Sequence, residues 1–486
     1  MVNKFYITTA IDYVNASPHI GHAYEKIITD VIARWNKLDG CDTYFLTGTD
    51  ENAQKNAQAS KDKGVKTKTF VDKNSKEFEK LCVDLNLSND DFIKTTEERH
   101  VKVAQAIFKK IFDKGDIYKK KYSGLYCQGC EAFLTERDLV EGKCPEHNKA
   151  PKIVEEENYF FKLSKYEKEI LKLVSSKDFI IPEGFRKEIV NRIKQDGLKD
   201  ISVSRPGLTW GIDVPNDKEH KIYVWIDALS NYISALGYPA GAKFKKYWPA
   251  DVHVVGKGIN WFHSVIWPGL LMSAGIALPK KIWVHGYLTF NGQKISKSLG
   301  NTINPTEIIS KYGVDPTRYV LVKDIPFNQD GDFSEDALKD RNNNELANDL
   351  GNLVSRTLTL CEKYSCGSKG KDDGLFKELD LEKVKKYFDK FEIHLALEEI
   401  WKFVRSSNKY INDKEPWKNE DCREVVLYNL LEALRVLSIL LSPFIPSTCE
   451  KINKQLGVKA GDLKTVKFGL VKKYKVKKEG VLFKKI

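Results

Sequence analysis

Hydrophobic and polar positions change rhythm three times along the chain. Lys4-Phe-Tyr-Ile-Thr-Thr-Ala is a short apolar run that predicts a strand near 4–11. Ile27, Ile28, Val31, Ile32 and Trp35 then keep helical spacing, which predicts a helix over 20–38 ended by Gly40. Thr43-Tyr-Phe-Leu-Thr predicts a second buried strand, followed by Gly48-Thr-Asp-Glu and another helix. A βαβ beginning of this kind implies a parallel sheet. From about 115 to 215 the texture changes. Cysteines, glycines and polar–aromatic strands such as Asn158-Tyr-Phe-Phe-Lys interrupt the alternation, as an inserted module would. The rhythm resumes with the strand-like run Ile222-Tyr-Val-Trp-Ile. Asp251-Val-His-Val-Val-Gly, a helix over 262–271 and the strand Ile282-Trp-Val-His-Gly follow. From about 340 onward apolar residues fall three and four apart, and a helix bundle is the packing solution for such faces.

Length and composition narrow the class. At 486 residues the chain exceeds one compact core, so two or three domains are expected. Apolar content of 42% with 30% charged residues fits a soluble globular protein, and no apolar run is long enough to span a membrane. Residues 1–10 read as a strand and not as a targeting peptide, so the cytoplasm is the expected location. Net charge is +12, and residues 464–486 carry nine lysines against one glutamate, a net of +8. Nucleic acid phosphates are the natural partner for such a segment. Lysine decoration of a solvated end is the other reading of it. Of nine cysteines, at 41, 82, 127, 130, 144, 361, 366, 422 and 449, three are organised. The odd number and apolar neighbours of the rest fit a reducing compartment.

Three constellations carry chemistry. Cys127-Gln-Gly-Cys130 and, thirteen residues on, Cys144-Pro-Glu-His147 have the spacing of a four-coordinate structural zinc site with no open position. Ser17-Pro-His19-Ile-Gly21-His22 sits where the first strand feeds the first helix. That is the crevice position where parallel α/β sheets bind nucleotides. Pro18 suits a helix approach, the first-turn N–H groups favour anions, and Gly21 lets a phosphate or adenine approach the backbone. Asn291-Gly-Gln-Lys294-Ile-Ser296-Lys297-Ser298-Leu-Gly-Asn301 places two ammonium groups in a polar loop bounded by Gly292 and Gly300. Such a loop is able to close on a triphosphate and stabilise charge that grows in the transition state. No G-x-G-x-x-G fingerprint and no P-loop competes.

Together His19-Ile20-Gly21-His22 and Lys294-Ile295-Ser296-Lys297-Ser298 resemble the paired HIGH and KMSKS signatures of class I aminoacyl-tRNA synthetases, with isoleucine for methionine in the second. Ala10-Ile-Asp-Tyr-Val-Asn15, Val224-Trp-Ile-Asp-Ala-Leu-Ser-Asn-Tyr232, Phe262-His263-Ser264, Val284-His285-Gly-Tyr287, Asn352-Leu-Val-Ser-Arg356 and Glu415-Pro-Trp417 are similar to the methionyl-tRNA synthetases. The resemblance spans residues 5 to about 450. It implies activation of methionine by ATP to methionyl-adenylate with release of pyrophosphate. Transfer to the terminal adenosine of tRNA(Met) follows, for initiation and elongation. It implies His19, His22, Lys294 and Lys297 as catalytic groups, and Gly21, Gly256, Gly258, His285 and Ser296 as further ATP contacts. Magnesium would accompany ATP. Asp50 would pair with the methionine ammonium, while Ile11, Tyr13, Trp225, Ala228, Leu229, Tyr232, Ile259 and His263 would enclose the side chain, where thioether–aromatic contacts are favourable. Asn352, Arg356 and Trp417 would read the anticodon by hydrogen bonding and stacking.

The implied architecture is a Rossmann-like catalytic domain in two halves, 1–114 and 216–290. A connective zinc-knuckle module is inserted at 115–215. A KISKS and stem-contact region follows at 291–340, then an anticodon-binding bundle at 341–463 and a basic tail at 464–486. Two departures stand out: Gly258 where an aspartate is common beside the ribose, and Asp12 where proline is common. With no extra C-terminal domain expected, a monomer is implied. Synthetases for isoleucine, valine or leucine carry a larger editing insertion than the roughly 100 residues present here. A non-catalytic RNA-binding module would not need both signatures.

Overall fold

The structure is a computed structural model that describes residues 3–127, 132–146, 148–290, 292–294, 302–326, 329–364, 370 and 372–486. Its centre is a seven-stranded parallel sheet built from β1 (Lys4–Thr9), β2 (Asp12–Tyr13), β3 (Asp42–Asp50), β4 (Asp91–Lys94), β5 (Ile180–Ile181), β6 (Val252–Gly256) and β7 (Ile282–His285). The strand order is β2-β3-β1-β6-β7-β5, with β4 also paired to β3. Ile7 of β1 lies opposite Phe45 on one side and Val252 on the other. All three are buried, as expected where both faces of a parallel sheet are covered. The chain leaves β1 toward β3 and returns on its far side as β6. The seam between β1 and β6 is therefore a topological switch point, and the loops after β1, β3, β6 and β7 open along one edge.

The helix over 20–38 is α1 (Ile20–Leu38), and each of its periodic residues, Ile27, Ile28, Val31, Ile32 and Trp35, is buried. Two sequence expectations are corrected. The stretch 115–215 is not one inserted module. Strands Ile117–Cys127 and Lys152–Phe161 do form a long antiparallel pair outside the main sheet, but Ile180–Ile181 returns to that sheet as β5 beside β7. Two residues of pairing leave no periodic signal. The run Ile222–Ile226 is not a strand either: Val224–Leu229 is a short helix whose every residue is buried. A continuous apolar run does not distinguish a buried strand from a buried helix.

The helical half packs directly on the catalytic half. Helix α2 (Val314–Lys323) lies against α1, and Trp35 stacks on Phe388 with centroids 3.8 Å apart. Arg318 of α2 is fully buried. It donates to Asp30 of α1 at 2.7 Å and to the carbonyls of Leu85 at 3.0 Å, Phe444 at 3.0 Å and Pro443 at 2.7 Å. Burial alone would raise the Asp30 carboxyl. Arg318, Arg34 and the Ser88 hydroxyl outweigh it and hold the group below the ordinary value. The bundle continues through α3 (Asn352–Tyr364), α4 (Ile393–Lys414), α5 (Glu420–Leu441) and α6 (Pro446–Leu456).

Residues 464–486, expected as a basic tail, are folded against this bundle. Tyr474 is buried with its hydroxyl on Glu432. Lys478 bonds Glu362 and Thr359 of α3, and Asn342 reaches the Lys484 carbonyl at 2.9 Å.

Removing one partner of a buried ion pair leaves an uncompensated charge, so Arg318→Met is expected to cost about 3 kcal/mol of unfolding free energy in denaturant titration. A loss below about 0.5 kcal/mol would mean that Arg318 is not the hub of this interface.

Candidate active site

The edge of the sheet at the switch point holds a pocket of about 410 Å³. Residues from the loops at the ends of the strands and from several helices line it, from Ala10 to Leu288 in the sequence. One end belongs to α1. His19 is its N-cap, with extended backbone at φ −125° and ψ 172°, and its Nδ1 accepts from the Gly21 N–H at 3.1 Å. His22, three residues on, returns the contact: its Nδ1 accepts from the His19 N–H at 3.0 Å. This is a reciprocal capping box made by two imidazoles. An Nδ1 that accepts is unprotonated, so in the neutral rings the proton sits on Nε2, which becomes the donor. The rings stack at 3.7 Å, and Phe78 meets His22 edge-on at 5.2 Å.

Gly21 has a different reason from the one its sequence suggests. A Cβ there would fall 3.0 Å from the His19 ring, so the glycine makes room for the capping imidazole as well as for a ligand. Ile20 is fully buried, and its N–H binds the Ile303 carbonyl at 3.0 Å. Each position of His-Ile-Gly-His thus has its own local cause. No acidic residue stands in the first turn, so the helix terminus keeps its attraction for anions.

The other end is aromatic. Tyr232, Trp225, Ala228, Leu229, Ile259, His263, Ile11 and Tyr13 all line the pocket, as expected, and Asp50 closes it from the end of β3. Trp225 stacks on Phe262 at 3.7 Å and 9°. His263 donates from Nδ1 to the Ile259 carbonyl at 3.0 Å and accepts at Nε2 from the Tyr232 hydroxyl at 2.8 Å. Burial pushes it down to about 4, so the imidazole stays neutral against an uncharged side chain. The helix carrying Trp225 is anchored underneath. Asp227 binds His100 at 2.6 Å and Asn52 at 2.9 Å, residues that no sequence pattern singled out.

Between the two ends lie Gly256, Gly258, His285, Gly286 and Tyr287. Glu25 of α1 joins the parts, accepting from the Ala10 N–H at 2.9 Å and pairing with His285 at 2.9 Å. Gly258 was expected to leave a gap where a carboxylate would stand. Instead, a Cβ at Gly258 would lie 2.0 Å from the Tyr287 hydroxyl oxygen, so that hydroxyl already fills the space. Asp330 fixes the tyrosine by accepting its N–H at 2.8 Å and binding Lys257, whose ammonium lies 4.7 Å from the ring centroid.

The lysine loop is rooted beside the pocket. Leu288–Phe290 pairs with Gln293–Lys294, and Gly292 turns between them at φ +74°. Asp332 accepts from the Gly292 N–H at 2.8 Å. Lys294 ends this hairpin, while Ser296 and Lys297 lie outside the described residues. So do Cys130 and His147 of the expected zinc set. The other two, Cys127 at the end of its strand and Cys144 in a turn closed by the Asn148 N–H at 2.8 Å, are buried thiols, a donor type that suits zinc. In the bundle, Asn352 is exposed at the start of α3. The Arg356 guanidinium lies 5.5 Å from the Trp417 ring and donates to Asn412 at 2.8 Å. No helix among the described residues is long and apolar enough to cross a membrane.

Comparison with known proteins agrees with this layout. The family described as tRNA synthetases class I (M) matches residues 5–152 and 147–358, and the anticodon-binding domain of tRNA ligases matches 378–480. The chain is 48% identical to the methionine–tRNA ligase of Caldanaerobacter subterraneus subsp. tengcongensis, over all of this chain and 79% of that one. It is 45% identical to that of Brucella suis, over 94% and 92%. The Mycobacterium tuberculosis methionyl-tRNA synthetase in complex with methionyl-adenylate superposes with a TM-score of 0.95 at 39% identity. That match covers 99% of this chain and 100% of the other.

Gly258→Asp is expected to displace Tyr287 and weaken ATP binding about fivefold by calorimetry, the cost of roughly one hydrogen bond. An unchanged or tighter affinity would contradict the packing argument.

Proposed function

The chain belongs to the class I methionyl-tRNA synthetases. From that premise we propose that His19, His22, Lys294 and Lys297 carry its activation of methionine by ATP. The observation that carries this reading is the pocket itself. A helix N-terminus with two Nε2 donors stands at one end, and Asp50 with the aromatic wall at the other. Methionine binds with its ammonium toward Asp50 and its thioether among Trp225, Tyr232 and His263. Its carboxylate oxygen attacks the α-phosphorus of ATP, an O–P bond forms, and the bond to the β-phosphate bridging oxygen breaks. Negative charge grows on the α-phosphate and on the departing pyrophosphate. The Nε2–H groups of His19 and His22 and the two lysine ammoniums stabilise it where it develops. Magnesium accompanies the nucleotide. The terminal adenosine hydroxyl of the tRNA then attacks the adenylate carbonyl, and AMP leaves.

Specificity for methionine rests on shape and sulfur–aromatic contact, since the wall offers His263 as a neutral ring already bonded at both nitrogens. Anticodon reading by Asn352, Arg356 and Trp417 is supported by the Arg356 guanidinium lying 5.5 Å from the Trp417 ring, which puts a cation and an aromatic side by side for an unstacked base. Cys127, Cys130, Cys144 and His147 would hold a structural zinc that staples the turn beyond the long antiparallel pair. We read the protein as a cytoplasmic monomer, for which a single-chain mass in light scattering is the check.

Methionine-dependent exchange of pyrophosphate into ATP is expected from the purified chain, and a loss of at least about a hundredfold in His19→Ala or Lys297→Ala. Exchange with isoleucine or valine but not methionine would overturn the specificity. Stoichiometric zinc by atomic emission, lost together with thermal stability on chelation, is the expected result for the cysteine set. A metal-free chain of equal stability would contradict it.

A further inference from the structure

Lys26 is a fully buried cation beneath the pocket, and the reaction above gives it no task. Its ammonium is bound to Asp12, whose side chain lines the pocket just above it. A buried ion pair is a poor source of stability, because the desolvation of both charges offsets their attraction. The arrangement around it points upward instead. One Asp12 oxygen holds Lys26, and the other faces His22 Nε2 at 3.8 Å. The opposite side of that ring is held by the His19 N–H on Nδ1, and Phe78 packs its edge. Lys26 lies one turn below His22 on the same helix face.

We propose that Asp12, charge-balanced by Lys26, is a positioning residue for His22: at 3.8 Å its carboxylate flanks the Nε2 edge of the ring without a hydrogen bond, limiting the ring's swing and leaving the Nε2–H for the triphosphate. The proposal rests on the phosphate-binding role given to His22 above. A lone carboxylate at this place would repel the incoming phosphates, and the ammonium beneath it cancels that charge. Burial by itself lowers the Lys26 ammonium. Asp12, with Cys82 and Glu25 nearby, outweighs that effect and raises it above the usual lysine value, while burial raises the Asp12 carboxyl. The charged and titratable groups facing the pair are therefore His19, His22, Glu25 and Cys82.

The test removes the pair together, so that no buried charge is stranded. Asp12→Ala/Lys26→Met is expected to keep the wild-type thermal midpoint and the KM for methionine, while kcat for pyrophosphate exchange falls about tenfold. Asp12→Asn/Lys26→Met keeps a side chain of the same shape against the ring and is expected to recover most of that loss. Wild-type kcat in the alanine version, or equal losses in both, would overturn the proposal. A second readout needs no activity. In the 15N spectrum of the histidine-labelled full chain, with His22 assigned through His22→Gln, wild type should show a single Nε2–H tautomer and Asp12→Ala/Lys26→Met a mixture. A mixed or Nδ1–H form in wild type, or an unchanged spectrum in the double variant, would overturn the proposal. Absence of exchange in wild type counts against the proposed function instead, and the spectrum still decides the role of Asp12.

Discussion

Two imidazoles and two backbone N–H groups at the start of α1 hold one another, and the chemistry of the pocket depends on that lock. A helix begins with unsatisfied donors, and most helices satisfy one of them with a serine, threonine or aspartate. Here histidines do so in both directions, His19 to Gly21 and His22 back to His19. Capping consumes Nδ1 of each ring and leaves Nε2 as the donor, beside a helix terminus that already favours anions. The same contacts that start the helix therefore select the tautomer that phosphate recognition needs. Gly21 is the steric condition for this lock, because a side chain there would crowd the His19 ring.

The rest of the architecture brings distant parts of the chain to that helix terminus. At the switch point between β1 and β6, residues 10–25, 50, 225–263 and 285–288 share one pocket. Its polarity runs from donors at α1 to a carboxylate at Asp50, the order in which a triphosphate and an ammonium would lie. Glu25 ties α1 to both Ala10, just after β1, and His285, so the helix cannot shift without disturbing that wall of the pocket. Arg318 ties the same helix to the bundle through Asp30. A path of buried polar contacts thus connects the helical half to the helix that carries both histidines.

Much of this was legible in the sequence wherever periodicity or spacing carries information. Asp50, Trp225, Tyr232, His263 and His285 line the same pocket as His19 and His22, and the helix over 20–38, the bundle and the His19–His22 helix start fell where their patterns put them. Features without a pattern did not. The two-residue strand Ile180–Ile181 has no period, so its return to the main sheet was hidden inside what looked like one insertion. The Val224–Leu229 helix is buried on all sides, and the apolar run Ile222–Ile226 that enters it reads equally well as a strand. Tyr287 fills the space at Gly258 across 29 positions of sequence, a complementarity that only geometry reveals. The lysine-rich C-terminal segment hid its anchors: Tyr474 on Glu432, and Phe483 beside Gly351, dock it along the bundle while its lysines stay at the surface. Asp12 looked like a departure from its family. In the fold it has a partner in Lys26, which helical spacing alone would have assigned to solvent.

The central claim is that the capping lock aims both histidines at phosphate through Nε2. A crystal structure of the full chain with a non-hydrolysable ATP analogue tests it most directly. The account predicts phosphate oxygens within hydrogen-bond distance of His19 Nε2 and His22 Nε2, with both Nδ1 atoms still accepting from the backbone. An analogue bound in the pocket with either ring turned to present Nδ1, or with its phosphates away from α1, would contradict it.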